Sequence, residues 1–266
     1  MATSTTQPIP YIHLLCMYES ASDAFTREVQ EQGIEPALLN YTVYNTYLSG
    51  LPPSLKFDLV VSPANSYGIL DGGFDNAISL AFSPPTHYDA LTRAGQKELY
   101  RLHSGYLPPG MCCIVRIPES FRGTLKYHDG NGWGCRYLAL CPTMRVPSRC
   151  DWDREVVYEC VWNLLNAIEQ HNKAVEEGGN GAGAGADGPP AKIESILMTP
   201  LGTGVGGISN EKWAKQAVLA IKHFIDAKKH PEKWSAITWQ ETSKVDIELM
   251  KSHTPSQVAK FFQRRV

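Results

Sequence analysis

Short apolar runs alternate along the chain with longer amphipathic stretches, and the hydrophobic period switches between that of a buried strand and that of a helix. "YIHLLCM" (11–17) predicts a strand, and "SASDAFTREVQEQG" (20–33) a helix with Ser20 or Ser22 as cap and Gly33 as stop. "ALLNYTV" (37–43), "FDLVVS" (57–62), "MCCIVRI" (111–117), "RYLALCP" (136–142), "SILMTP" (195–200) and "WSAITWQE" (234–241) read as further strands. "FDLVVS" is apolar enough to be central in a sheet covered on both faces. From Trp152 to Lys173, Val156, Val157, Cys160, Val161, Leu164, Leu165 and Ile168 recur at helical spacing and form one apolar face. "NEKWAKQAVLAIKHFIDAKK" (210–229) repeats the pattern, with Trp213, Ala217, Ile221, Phe224 and Ile225 on its inner face. Residues 242–266 either pack as helices, "IELMKSH" and "PSQVAKFF", or close over a ligand, and the sequence leaves both readings open. Strands that alternate with helices imply an α/β layered sheet with helices on both faces.

"EEGGNGAGAGADGPP" (176–190) has nothing to bury and reads as a flexible Gly/Ala-rich loop inserted between a helix and a strand. It is not taken as a domain boundary, because the helix–strand pair expected after it could not fold alone. One domain spanning 1–266 is expected.

Composition narrows the function classes. Of 266 residues, 43% are hydrophobic and 20% charged, with a formal net charge of -2, so no basic field points to nucleic acid or a membrane surface. No apolar run reaches the length of a membrane span, and the first twenty residues lack the charge and apolar core of a signal peptide. Seven cysteines, an odd number without a C-x-x-C pair, lie partly inside apolar runs such as "MCCIV" and "LALCP". They read as reduced thiols in an intracellular protein, cytoplasmic or also nuclear, and their spacing with the eight histidines fits no metal-ligand template.

Two stretches are too rich in glycine to be ordinary connections. "NSYGILDGGFDNAI" (65–78) follows the apolar strand "FDLVVSP", and its Gly68, Gly72 and Gly73 suit close approach of the backbone to a ligand. "TPLGTGVGGISNEKW" (199–213) also leaves a strand and enters a helix, and Gly202, Gly204 and Gly207 spell G-x-G-x-x-G. As a dinucleotide fingerprint it is misplaced, for only one more strand is expected after it and no ribose-binding acid follows at the right distance. As a cradle of free amides at a helix N-terminus it suits a phosphate or diphosphate. The first loop supplies Asn65, Asp71 and Asp75, whose side chains can hold hydroxyl groups or accept a proton. A sugar joined to a diphosphate fits between two such walls.

"VVSPANSYGILDGGFDNAI" resembles the first signature loop of macrodomains, which bind ADP-ribose, and "TPLGTGVGGIS" is similar to their second, phosphate-binding loop. "LPPGMCCIVRIPES" and "CRYLALCPTMRVP" stand where two intervening strands belong, so the resemblance spans roughly 11–241. It implies a three-layer α/β/α sandwich around a mixed central sheet, with ADP-ribose in a cleft at the crest; the mechanism expected here uses no metal and no cofactor. Asn65 would contact the distal ribose, and Asp75 would orient or activate a water. Ala64, Gly72, Gly73 and Phe74 would line one wall of the ligand site. Leu201, Gly202, Thr203, Gly204, Val205, Gly206, Gly207 and Ile208 would wrap the diphosphate; Trp239, near the end of the last expected strand, could stack on a ring or, as a large aromatic, belong to the core.

Departures from the family pattern matter. Asp71 interrupts the glycine run and reads mainly as a solvent-facing turn residue, with a second acid at the ribose as the alternative. Phe74 replaces a small aliphatic residue. Where the family reads adenine with an Asp, "VYNTYLSG" leaves only Asn45, and "ALCPT" replaces a His-containing strand. His128 in "KYHDGNGWG" could reach the cleft, although a loop histidine is more often simply exposed. The expected activity is removal of phosphate from ADP-ribose 1''-phosphate by a monomeric hydrolase, as assigned to fungal-type relatives. The rivals are release of ADP-ribose from modified acidic side chains of proteins and non-catalytic ADP-ribose binding.

Overall fold

The computed structural model describes residues 8–124, 132–178 and 188–253. His128, most of 176–190 and "PSQVAKFF" lie outside them. Among the described residues, six strands and seven α-helices alternate: β1 (Tyr11–Leu15), α1 (Glu19–Glu31), β2 (Tyr41–Tyr44), β3 (Leu59–Ser62), α2 (Gly73–Phe82), α3 (Ala90–His103), β4 (Cys113–Arg116), β5 (Tyr137–Leu140), α4 (Val156–Glu176), β6 (Ser195–Met198), α5 (Asn210–Lys229), α6 (Pro231–Trp234) and α7 (Trp239–Met250). The strands form one sheet in the order β2-β1-β6-β3-β5-β4, parallel except for β4, which runs antiparallel to β5. The sheet is therefore mixed, and β3 is central as its apolar run required.

Strand alternation divides the interior into two cores. Ile12, Leu14, Leu59, Val61, Ala139, Ile196 and Met198 face one side, where α1, α4 and α5 pack. Val60, Leu138, Leu140, Leu197, Cys113 and Val115 face the other, covered by α2 and α3. Trp213 of α5 is fully buried and stacks on Phe25 of α1, ring centroids 5.6 Å apart. Asp58 fixes the register of the central pair at its base. Its Oδ2 accepts from the amides of Glu194 and Ser195 and from Ser195 Oγ, at 2.9, 2.9 and 2.8 Å.

Three expectations are corrected. The strand expected at 37–43 begins only at Tyr41, because 36–38 form a turn in which Leu38 N donates to Glu35 O. Neither Ser20 nor Ser22 caps α1. The cap is Tyr18, without a side-chain bond, and Ser22 lies inside the helix, donating to Glu19 O and to Asn45 Oδ1. The stretch 234–241 is not a strand but the end of α6 and the start of α7. Thr238 and Glu241 form a capping box there, each side chain bonding the other's backbone amide, which stabilises a helix start over the extended form. The sequence reading also assigned nothing to α3.

Candidate functional site

β3 and β6 are adjacent and parallel, with Leu59 opposite Ile196 and Val60 opposite Leu197. Their following helices depart to opposite faces, α2 to one core and α5 to the other. Connections that part in this way open a crevice at the carboxyl ends of the strands, where open α/β sheets bind ligands. Both glycine loops line that crevice.

The second loop is a tight coil. Ile208 N donates to Gly202 O at 3.1 Å and Gly207 N to Gly204 O at 3.0 Å, with Gly202 and Gly207 both at positive φ. Gly206 is pressed against the chain behind it: a Cβ there would meet Cys150 Sγ at 2.7 Å as well as the carbonyl of Gly202. Around Gly204 a Cβ would meet nothing within 4 Å. Among the described residues, the amides of Thr203, Gly204, Val205 and Gly206 donate to no protein acceptor. These four consecutive N–H groups are unused donors of the loop itself. Ser209 caps α5 by accepting from Lys212 N. Leu201 and Ile208 are core residues, so only their backbone is available to a ligand, whereas Thr203 is half-buried and Val205 is exposed.

The first loop is organised by Asn65. Its Oδ1 accepts from Tyr67 N at 3.1 Å and Ile69 N at 3.3 Å, and its Nδ2 donates to Ile69 O at 2.7 Å. The buried carboxamide thus builds the turn, with one N–H left over. Ala64 is buried, Gly72 and Gly73 are exposed, and Phe74 is half-buried against the α2-side core. Gly72 is the N-cap of α2 and has no side chain to satisfy the first amides of that helix.

Asp75 stands in the first turn of α2, nearly buried, and accepts from Ser62 Oγ at 2.6 Å through Oδ1. Burial pushes its pKa up to about 7, against the opposing effect of the Ser62 bond and with a further upward push from Asp71. It is therefore a carboxyl that can both accept and return a proton near neutral pH. Ser62, which ends β3 directly beneath it, was missed from sequence because a serine at a strand end carries no signal of its own. Asp71 is exposed, as the turn reading expected.

Not every expected residue joins the crevice. Asn45 follows β2, and its carboxamide oxygen is taken by Ser22. Trp239 is corrected: it opens α7 and is 89% exposed. α7 runs antiparallel to α5, since Glu248 pairs with Lys222 and His223 while Ser252 reaches Gln216. Trp239 therefore lies beyond the end of α5 remote from the glycine loop. A cavity of about 490 Å³ at the opposite end of the sheet, lined by Tyr11, Asn172, Lys192 and Lys228 among others, is separate from the crevice. No helix among the described residues is long and apolar enough to cross a membrane, and no group of three or more metal-ligating side chains occurs among them.

No family model matches the chain, and no curated protein matches it. Among solved structures it is similar to a macrodomain of Oceanobacillus iheyensis. The form with ADP is 20% identical at a TM-score of 0.43, covering 66% of this chain and 74% of that one. A point mutant of the same macrodomain with ADPR is 19% identical, TM-score 0.42, covering 65% and 73%. The form with MES bound gives 19%, 0.42, 65% and 73%.

Proposed function

We propose that this chain is a macrodomain-type hydrolase that binds an ADP-ribose derivative in the β3–β6 crevice and removes phosphate from ADP-ribose 1''-phosphate. The observation that carries the reading is the pairing, across one crevice, of four unused amides with a carboxyl whose pKa stands near 7. The amides of Thr203 to Gly206 suit a diphosphate, to whose oxygens they can donate. The remaining N–H of Asn65 would donate to a hydroxyl of the distal ribose.

Ionised Asp75 then takes a proton from a water whose oxygen bonds to phosphorus. The bond from phosphorus to the ribose oxygen breaks, and Asp75 returns its proton to that oxygen. ADP-ribose and inorganic phosphate result. Holding the diphosphate makes the attack effectively unimolecular, a source of rate that needs no further catalytic group. We also propose that the chain works as a monomer, and inside the cell, where its seven cysteines would stay reduced.

The test is phosphate release from ADP-ribose 1''-phosphate by the parent and by Asp75→Ala, beside calorimetric titration of both with ADP-ribose. Loss of release with retained binding supports the assignment. Equal release by Asp75→Ala overturns it, and release of ADP-ribose from a modified protein without phosphate release favours the protein-directed activity instead.

A further inference from the structure

The two glycine loops contain no lysine or arginine between 64 and 75 or between 201 and 209. A ligand with a second anionic group on its distal sugar would meet Asp71 and Asp75 there with no compensating charge from either loop. The connection from β5 to α4 supplies what they lack. It runs beside both loops: Thr143 N donates to Ala64 O at 3.3 Å, Met144 pairs with Asn65, and Ser66 N donates to Met144 O at 3.1 Å. Further along, Cys150 N donates to Gly206 O at 2.9 Å, and the Arg149 guanidinium lies 3.1 Å from where a Cβ on Gly207 would stand.

This connection carries two arginines in different electrostatic states. Arg149 is held by Asp151 through two bonds, Nε to Oδ1 at 3.1 Å and Nη2 to Oδ2 at 2.6 Å, so its charge is already matched. Arg145 faces no carboxylate among the described residues. Its Nε donates to Tyr67 Oη at 3.1 Å and its guanidinium lies 5.9 Å from the Tyr106 ring, which packs edge-on against Tyr67. Tyr67 is tied through its amide to Asn65 Oδ1. The two tyrosines hold the arginine without neutralising it, beside the turn that Asn65 builds, and its Nη groups have no protein acceptor among the described residues.

We propose that Arg145, seated on Tyr67 and Tyr106 at the β5 side of the crevice, receives a phosphomonoester on the distal sugar of the ligand and so sets the preference for phosphorylated over unmodified ADP-ribose. The inference rests on the function proposed above and names the group that this side of the site recognises. A planar guanidinium with two outward N–H groups matches two phosphate oxygens, and such charge-assisted bonds exceed neutral ones.

The experiment compares the parent, Arg145→Gln and Arg149→Gln in two measurements: kcat/KM for phosphate release from ADP-ribose 1''-phosphate, and Kd for ADP-ribose. Arg145→Gln is expected to lower kcat/KM by about tenfold to a hundredfold. Its Kd for ADP-ribose and its thermal midpoint should stay close to those of the parent, and Arg149→Gln should change kcat/KM much less. An equal loss in both measurements would make Arg145 a clamp for the Asn65 turn and overturn the proposal, as would no loss in either. If the parent binds ADP-ribose but releases no phosphate, the hydrolase reading fails on its own. Arg145 is then judged by whether the parent binds the phosphorylated ligand more tightly than ADP-ribose and loses that margin in Arg145→Gln; equal affinities overturn it.

Discussion

Replacing Asp75 by asparagine should stabilise the protein while abolishing turnover, and the gain should grow with pH. The carboxyl is nearly buried, and its pKa rises from 3.8 to about 7 on folding. The folded chain therefore retains a proton that the unfolded chain has released, so stability falls as pH rises through that interval. The penalty is absent well below pH about 4, reaches about 2 kcal/mol near pH 5 and is complete at about 4 kcal/mol near pH 8. Asparagine keeps an acceptor for Ser62 Oγ and carries no charge, so it removes the penalty. Urea unfolding of parent and Asp75→Asn at the two pH values measures it. The variant should gain about 2 kcal/mol more at the higher pH than at the lower. A gain that is the same at both, or a variant less stable near pH 8, would show that Asp75 is not held protonated by burial.

The remaining expectations concern neighbouring groups. Phosphate release should rise with pH through about 7 as Asp75 ionises, and Asp71→Asn should move the midpoint down, because the Asp71 charge pushes the Asp75 pKa upward; a pH-rate profile of both proteins reads this. Gly206→Ala should cost about 1–3 kcal/mol in denaturant unfolding, since its Cβ would strike Cys150 Sγ and the Gly202 carbonyl, whereas Gly204→Ala should leave stability within about 0.5 kcal/mol. Asn65→Ala should lose stability as well as ligand affinity, by about 2–3 kcal/mol, because three turn bonds go with it. Trp239→Ala should leave Kd for ADP-ribose unchanged, and a loss of binding would bring α7 back into the site.

The architecture was legible where apolar runs were long or glycines clustered. "FDLVVS" and "SILMTP" read as buried strands because both faces of β3 and β6 are covered, and α5 was bounded at Asn210 and Lys229 by its own periodicity. The alternation in "WSAITWQE" misled because period two also fits a helix end followed by a helix start. The Thr238–Glu241 capping box, spaced three residues apart, was the better signal there. At the site, the glycines and Asp75 stood out as residue types, but their relations did not. That Asn65 is occupied by its own turn depends on the conformation of five residues rather than on their types, while Ser62 beneath Asp75 and Arg145 beside Tyr67 are contacts between separate segments, which no local pattern encodes.

The central claim is that the β3–β6 crevice holds a diphosphate on the amides of Thr203 to Gly206. Calorimetric titration of ADP-ribose into the parent and into Gly204→Glu tests it most directly. Gly204 is exposed and a Cβ there meets nothing within 4 Å, so the glutamate would set a carboxylate beside those amides. Micromolar binding by the parent, lost in a Gly204→Glu protein that unfolds like the parent, is the predicted result. Absence of binding to the parent, or equal binding by both, would contradict the account.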